Sequence, residues 1–96
     1  MTAVRWSSQA RTDLDEIWLY VAQDSVNSAD RLIDRITETA RPLGDYPEMG
    51  VARSEFGPAL RSLVHGSYVI FYRVRPNDIR VERVLHGRRD ISSDDF

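Results

Sequence analysis

His86 closes a run of β-forming residues and is followed at once by Gly87, Arg88, Arg89 and Asp90. A histidine beside arginines suits cleavage of a phosphodiester. That reaction needs a base for the 2′-hydroxyl, an acid for the leaving oxygen and cations for the charge of the phosphorane. Glu55, Arg61, Arg73 and His86 are the residues that could take these roles. The same residues have a second reading, in which His86 is structural and Arg88 and Arg89 pair with Asp90 or with a protein partner; ion-pair networks of the fold also perturb such groups. His65 reads as a solvated turn residue. Two histidines without a cysteine make no expected metal site. Gly57-Pro58 and Gly66 stand alone, outside any phosphate-binding or dinucleotide fingerprint, and no serine sits in a nucleophile elbow. No cofactor is expected.

All thirteen basic residues are arginine, so no lysine is present to act as a base or Schiff-base former. The net charge of −2 gives no bulk attraction to nucleic acid or to an anionic membrane. Its distribution is uneven. Residues 1–52 hold five Arg against nine acids, residues 53–89 hold eight Arg against three acids, and residues 90–96 add three Asp. A basic segment therefore lies between two acidic ones. The 96 residues, 42% of them hydrophobic, suit one domain spanning 1–96 and argue against disorder. The longest apolar run, Tyr68 to Tyr72, is far too short to span a bilayer, and the first residues lack the pattern of a signal peptide. A cytoplasmic location is expected.

The elements that must position these residues follow from periodicity. Ala3 to Trp6 alternates as a short strand. Ser7 or Ser8 can cap a helix over about 8–24, with Ala10, Leu14, Ile17, Trp18 and Val21 on one face and Asp13, Asp15 and Glu16 toward its positive end. A second helical period runs through Ala29, Leu32, Ile33, Ile36 and Ala40, and Pro42 stops it. The short link predicts an antiparallel helical hairpin. Arg31 and Arg35, flanked by acids, read as a solvated face. Trp6, Tyr20 and Tyr68 could anchor a partner, whereas Trp18 belongs to the apolar stripe. Leu43 to Ala59 reads as one long loop of the kind that often carries function. Leu60–Val64, Tyr68–Val74 and Ile79–Leu85 then form a meander. Ile79, Val81 and Leu85 are expected on one face of its last strand, with Arg80, Glu82 and His86 on the other. The fold class is α+β, a helical hairpin on a small, mainly antiparallel sheet.

Six segments in this order resemble the ParE branch of the RelE/ParE toxin superfamily of type II toxin–antitoxin systems. Ser8 to Trp18 looks like the opening helix of that family, and Ala29 to Ile36 like its second. Tyr46-Pro47-Glu48-Met49-Gly50 is similar to its loop, and Gly57 to Ser62 to the start of its sheet. Tyr68 to Val74 and Val84 to Asp90 complete the pattern. The resemblance implies a β-α-α-β-β-β fold. It also implies a cognate ParD-like antitoxin with a ribbon-helix-helix part, through which alone operator DNA would be reached. An acidic, amphipathic antitoxin tail would suit the basic sheet side and the helical hairpin.

Two mechanisms share this fold. ParE-like members poison DNA gyrase and trap its cleaved DNA intermediate. RelE-like members cut mRNA on the ribosome with several basic residues, often Lys, and a Tyr, His or Glu. The absence of Lys here, and of Tyr or His after Asp90, favours the gyrase-directed reading, which asks no catalytic residue of this chain. Glu55, Arg61, Arg73 and His86 constitute the ribonuclease alternative, and a relic that only binds its antitoxin is a third. The expected target-binding residues are Arg83, His86, Arg88 and Arg89, as an exposed cationic end and because the C-terminal region of ParE-like toxins bears on activity.

Overall fold

Ser7 is where the first strand becomes the first helix, and its short side chain serves both. The hydroxyl accepts from the Ala10 N–H at 3.0 Å, capping the helix, and donates to the Glu82 carbonyl at 2.8 Å. The backbone N–H of Ser7 donates to Val81 O at 2.9 Å. In this computed structural model, which describes residues 2–96, the order is β1 (Ala3–Trp6), α1 (Ser8–Ala22) and α2 (Val26–Ala40), then a 3-10 turn (Arg41–Gly44). There follow β2 (Val51–Ala52), β3 (Leu60–His65), β4 (Tyr68–Val74), β5 (Asp78–His86) and a last 3-10 turn (Ser93–Asp95). Ser25 caps α2 through the Ser28 N–H, and Trp18 Nε1 donates to Asp30 Oδ1 at 2.8 Å, tying the two helices together.

The five strands lie in the order β1-β5-β4-β3-β2. All neighbours are antiparallel except β1 and β5, which are parallel because the helical hairpin carries the chain back across the sheet. This is the expected α+β architecture with one short strand added. The main core joins Ala10, Ile17, Ile36, Ala40 and Leu43 to Ile70, Tyr72, Ile79, Val81 and Val84. On the opposite face, Leu60, Phe71 and Leu85 form a second cluster, covered by Phe56, Val69, Ile91 and Phe96. The C-terminal segment thus folds back over one half of the sheet, with Phe96 4.8 Å from Phe71 between ring centres.

Three expectations are corrected. The segment 43–59 is not one irregular loop. It begins in the 3-10 turn and contributes edge strand β2, whose two residues are too few to show a period. Its middle is held by Tyr72, whose hydroxyl accepts from Gly50 N at 2.8 Å and donates to Pro47 O at 2.7 Å. Second, β5 does not alternate throughout. Tyr72 pairs with Val81 and Phe71 with Arg83, so Glu82 is an extra residue that reverses the faces. Ile79 and Val81 face the helices before it and Val84 after it, while Leu85 joins the opposite cluster. Third, His65 is half-buried against α2, its Nδ1 3.2 Å from Thr39 Oγ1.

The β4–β5 turn is fixed by Arg75, which donates twice to Asp78 at 2.6 Å. These hydrogen bonds, and then the charges of Arg75, Arg5 and Arg80, hold the Asp78 carboxyl below its ordinary value. A carboxylate with a depressed folded pKa stabilises the fold above its unfolded pKa and loses that contribution as pH falls through the folded one. Asp78→Asn is therefore expected to be less stable than the parent at pH 7. The difference should shrink below about pH 4, near the unfolded carboxylate value, when denaturant midpoints are followed against pH.

Candidate functional site

The edge of β5 beyond the end of β1 is where α1, the sheet and the C-terminal segment meet. β1 pairs with β5 only as far as Val81, so the later backbone groups of β5 need other partners. Ser7 takes the Glu82 carbonyl and Asp13 takes the Val84 N–H at 2.9 Å. The same Asp13 carboxylate receives Arg83 in a fork, Nε at 2.8 Å and Nη2 at 3.0 Å. Arg83 Nη1 reaches on to the Asp95 carbonyl at 3.0 Å. The hydrogen bond that Arg83 donates to Asp13, and then the charge of that carboxylate, raise the pKa of Arg83 against the opposing effect of burial.

Arg83 is thus not part of an exposed cationic end. Its side chain is 14% exposed and that of Asp13 8%, and the pair belongs to the interior. Asp13, expected toward the positive end of α1, instead turns inward to the sheet. A signal was present in the sequence. Asp13 lies three residues after Ala10 and four before Ile17, both buried, so a carboxylate stands on the core face of α1.

The exposed residues of this end are His86, Arg88 and Arg89. His86 Nδ1 accepts the Arg88 backbone N–H at 3.1 Å, which assigns the neutral ring's proton to Nε2. The ring meets Tyr68 edge to face at 5.3 Å. Arg89 pairs with Asp95 at 2.6 Å, not with Asp90, whereas Arg88 makes no ion pair with the described residues. A cleft of about 350 Å³ opens beside them, with Tyr20, Tyr68, His86 and Arg89 in its lining. Burial, and then the neighbouring Tyr20, push the Tyr68 phenol up from its ordinary pKa. The arrangement offers cations, aromatic rings and hydrogen-bond donors to a surface laid across the end of the sheet.

The four residues of the nuclease alternative are not brought together. Arg61 pairs in register with Tyr72, so the adjacent Arg73 lies on the opposite face of the sheet. His86 is opposite Tyr68, at the far end of β4 from Arg73, about 16 Å along the strand by the rise per residue. Each arginine is engaged. Arg61 donates to Gly50 O at 2.8 Å and Arg73 to Pro58 O. Glu55 is exposed; a backbone hydrogen bond and then Arg53 hold it below the usual carboxylate range, which makes it a poor base.

Residues 4–91 match the family described as ParE toxin of type II toxin-antitoxin system, parDE. The chain belongs to the ParE toxin family. It is a toxin of the ParE/RelE class of type II toxin–antitoxin systems. Toxin ParE1 of Caulobacter vibrioides is 36% identical over 89 residues, covering 90% of each chain. Toxin RelE3 of the same organism is 31% identical over 92 residues, covering 91% of this chain and 96% of its own. Among solved structures, the chromosomal ParDE system of P. aeruginosa contains a chain that superposes with a TM-score of 0.75 at 26% identity. It covers 90% of this toxin and 96% of that chain. The toxin–antitoxin complex RelBE2 of Mycobacterium tuberculosis, at 24% identity and a TM-score of 0.67, shares the fold.

In this ParE-family toxin the Asp13–Arg83 fork is a nearly buried pair whose rupture leaves a guanidinium without its counter-charge. Asp13→Asn is expected to destabilise the fold by about 3 kcal/mol, the lower end of the range for breaking a buried pair because Arg83 still reaches water. The check is a fall in the denaturation midpoint with an unchanged slope against denaturant.

Proposed function

We propose that this toxin arrests growth by poisoning DNA gyrase and that a ParD-like, ribbon-helix-helix antitoxin neutralises it in the cytoplasm. The observation that carries the target is the dispersal of Glu55, Arg61, Arg73 and His86. A nuclease must place its base, acid and cations within reach of one phosphodiester. Here Arg61 and Arg73 lie on opposite faces of the sheet, and each donates to a different backbone carbonyl. A poison needs no such convergence, only a surface that binds its target. The exposed Arg88 and Arg89, with His86 beside them, supply a cationic one. The partner is supported by the family itself and by the structural neighbour from the chromosomal ParDE system of P. aeruginosa. The ribonuclease reading keeps one specific support, since relatives named RelE3 and RelE2 are 31% and 34% identical to this chain.

The test runs the purified toxin in two reactions, gyrase supercoiling with DNA cleavage and ribosome-programmed translation with mapped mRNA ends. Accumulation of cleaved plasmid with intact mRNA is expected; codon-register cuts with unaffected gyrase would make the protein an mRNA endonuclease. Arg88→Ala with Arg89→Ala is expected to reduce toxicity and plasmid cleavage. Stability should fall by about 1 kcal/mol, because the Arg89 side of the Arg89–Asp95 pair is 47% exposed and Asp95 keeps its bond from the Ser92 N–H. Undiminished growth arrest by the double variant would remove these residues from the site.

A further inference from the structure

The sheet face away from the helices is divided. One half carries the cluster of Leu60, Phe71 and Leu85, beneath Ile91 and Phe96 of the C-terminal segment. The other half carries arginines. Arg5 is the register partner of Arg80 across β1 and β5, and Arg80 that of Arg73 across β5 and β4. Three arginine stems therefore stand side by side over two strand spacings, about 10 Å. Like charges directly opposite one another on a sheet are destabilising, so folding alone does not account for the row.

The acids around it are too few to neutralise it. Asp78 is shared between Arg75, which binds it twice, and Arg5 at 3.3 Å. Glu82, the bulge residue, lies 3.3 Å from Arg80. Arg73 is aimed by a backbone carbonyl, that of Pro58, in a turn where Ala59 holds a φ of 58° without being glycine. Such strain persists only where the surroundings impose it, and it is concentrated at functional positions. The side chains of Arg5 and Arg80 are 69% and 41% exposed.

We propose that the row Arg5–Arg80–Arg73 is a docking site for a carboxylate-bearing segment of the antitoxin, an inference that rests on the antitoxin partnership proposed above. The guanidinium fork matches a carboxylate, and Arg75 on Asp78 shows that geometry already in use beside the row. The same two acids oppose a nucleic-acid backbone, whose charge is continuous. A peptide can set its acids against the arginines and neutral or basic residues against Asp78 and Glu82. Acidic residues at i, i+4 and i+7 of a helix rise about 10 Å, the length of the row. The site lies at the other end of the sheet from His86, Arg88 and Arg89, so substitutions in the row test antitoxin docking without touching those residues.

The test measures association of the toxin with its cognate antitoxin by surface-immobilised kinetics from 50 to 500 mM salt, in ranges chosen for screening. Parent toxin is compared with Arg5→Gln/Arg73→Gln/Arg80→Gln, and a single-stranded DNA oligonucleotide is titrated in parallel. The triple variant is expected to associate about tenfold more slowly at low salt, with a flatter salt dependence and little change in dissociation. Circular dichroism and the thermal midpoint should show it folded; Arg80→Gln alone is a second variant should the triple one fail to fold. An unchanged association rate and salt slope in a folded variant would overturn the proposal while leaving the partnership intact. DNA binding that depends on the row, with antitoxin association indifferent to it, would overturn it in favour of a nucleic-acid site. Failure of the parent toxin to bind the antitoxin would overturn the partnership itself, and this inference with it.

Discussion

The Asp13 carboxylate does three things at once. It closes the exposed edge of β5 by accepting the Val84 N–H, it neutralises Arg83, and it fixes the start of α1 against the sheet. Without it, the edge beyond Val81 would present unpaired backbone groups and a guanidinium with no counter-charge. Arg83 extends the same network to the Asp95 carbonyl, and the Asp95 carboxylate takes Arg89 and the Ser92 N–H. One ion pair thereby joins the first helix, the last strand and the C-terminal segment. The exposed cationic end has its position because this interior pair has been made.

The sheet then distributes its charges by face and by end. Strand alternation sends Arg61 toward the helix side, where it supports the 47–50 segment, and Arg73 toward the open side, where it joins Arg5 and Arg80. The bulge at Glu82 brings His86 back to the helix side, against Tyr68. Binding surfaces can be separated in this way. Acid–base catalysis cannot, because proton transfer requires its groups within hydrogen-bond reach of one substrate. The registers of the sheet therefore decide which of its charged residues can act together.

Much of the fold was legible in the sequence because both helices show an apolar stripe, broken in α1 only by Asp13, and the later strands are rich in β-branched and aromatic residues. Pro42 and Ser7 marked real boundaries. What escaped was set by tertiary partners. β2 has two residues and exists because β3 lies beside it. The bulge at Glu82 depends on pairing across β4 and leaves no trace in residue types along β5. The candidate site was half legible. Composition pointed to a cationic C-terminal end, but it could not distinguish Arg83, whose partner lies seventy residues earlier in the chain, from the exposed Arg88.

The Asp13–Arg83 pair holds the helix, the strand edge and the C-terminal segment as one unit. Residue-resolved amide hydrogen exchange in Asp13→Asn tests it most directly, read relative to the β4 amides so that a global loss of stability cancels. The Val84 amide and the amides of Ser92 and Phe96 are expected to lose protection together. Loss at Val84 alone, with the C-terminal amides as protected as in the parent, would contradict it.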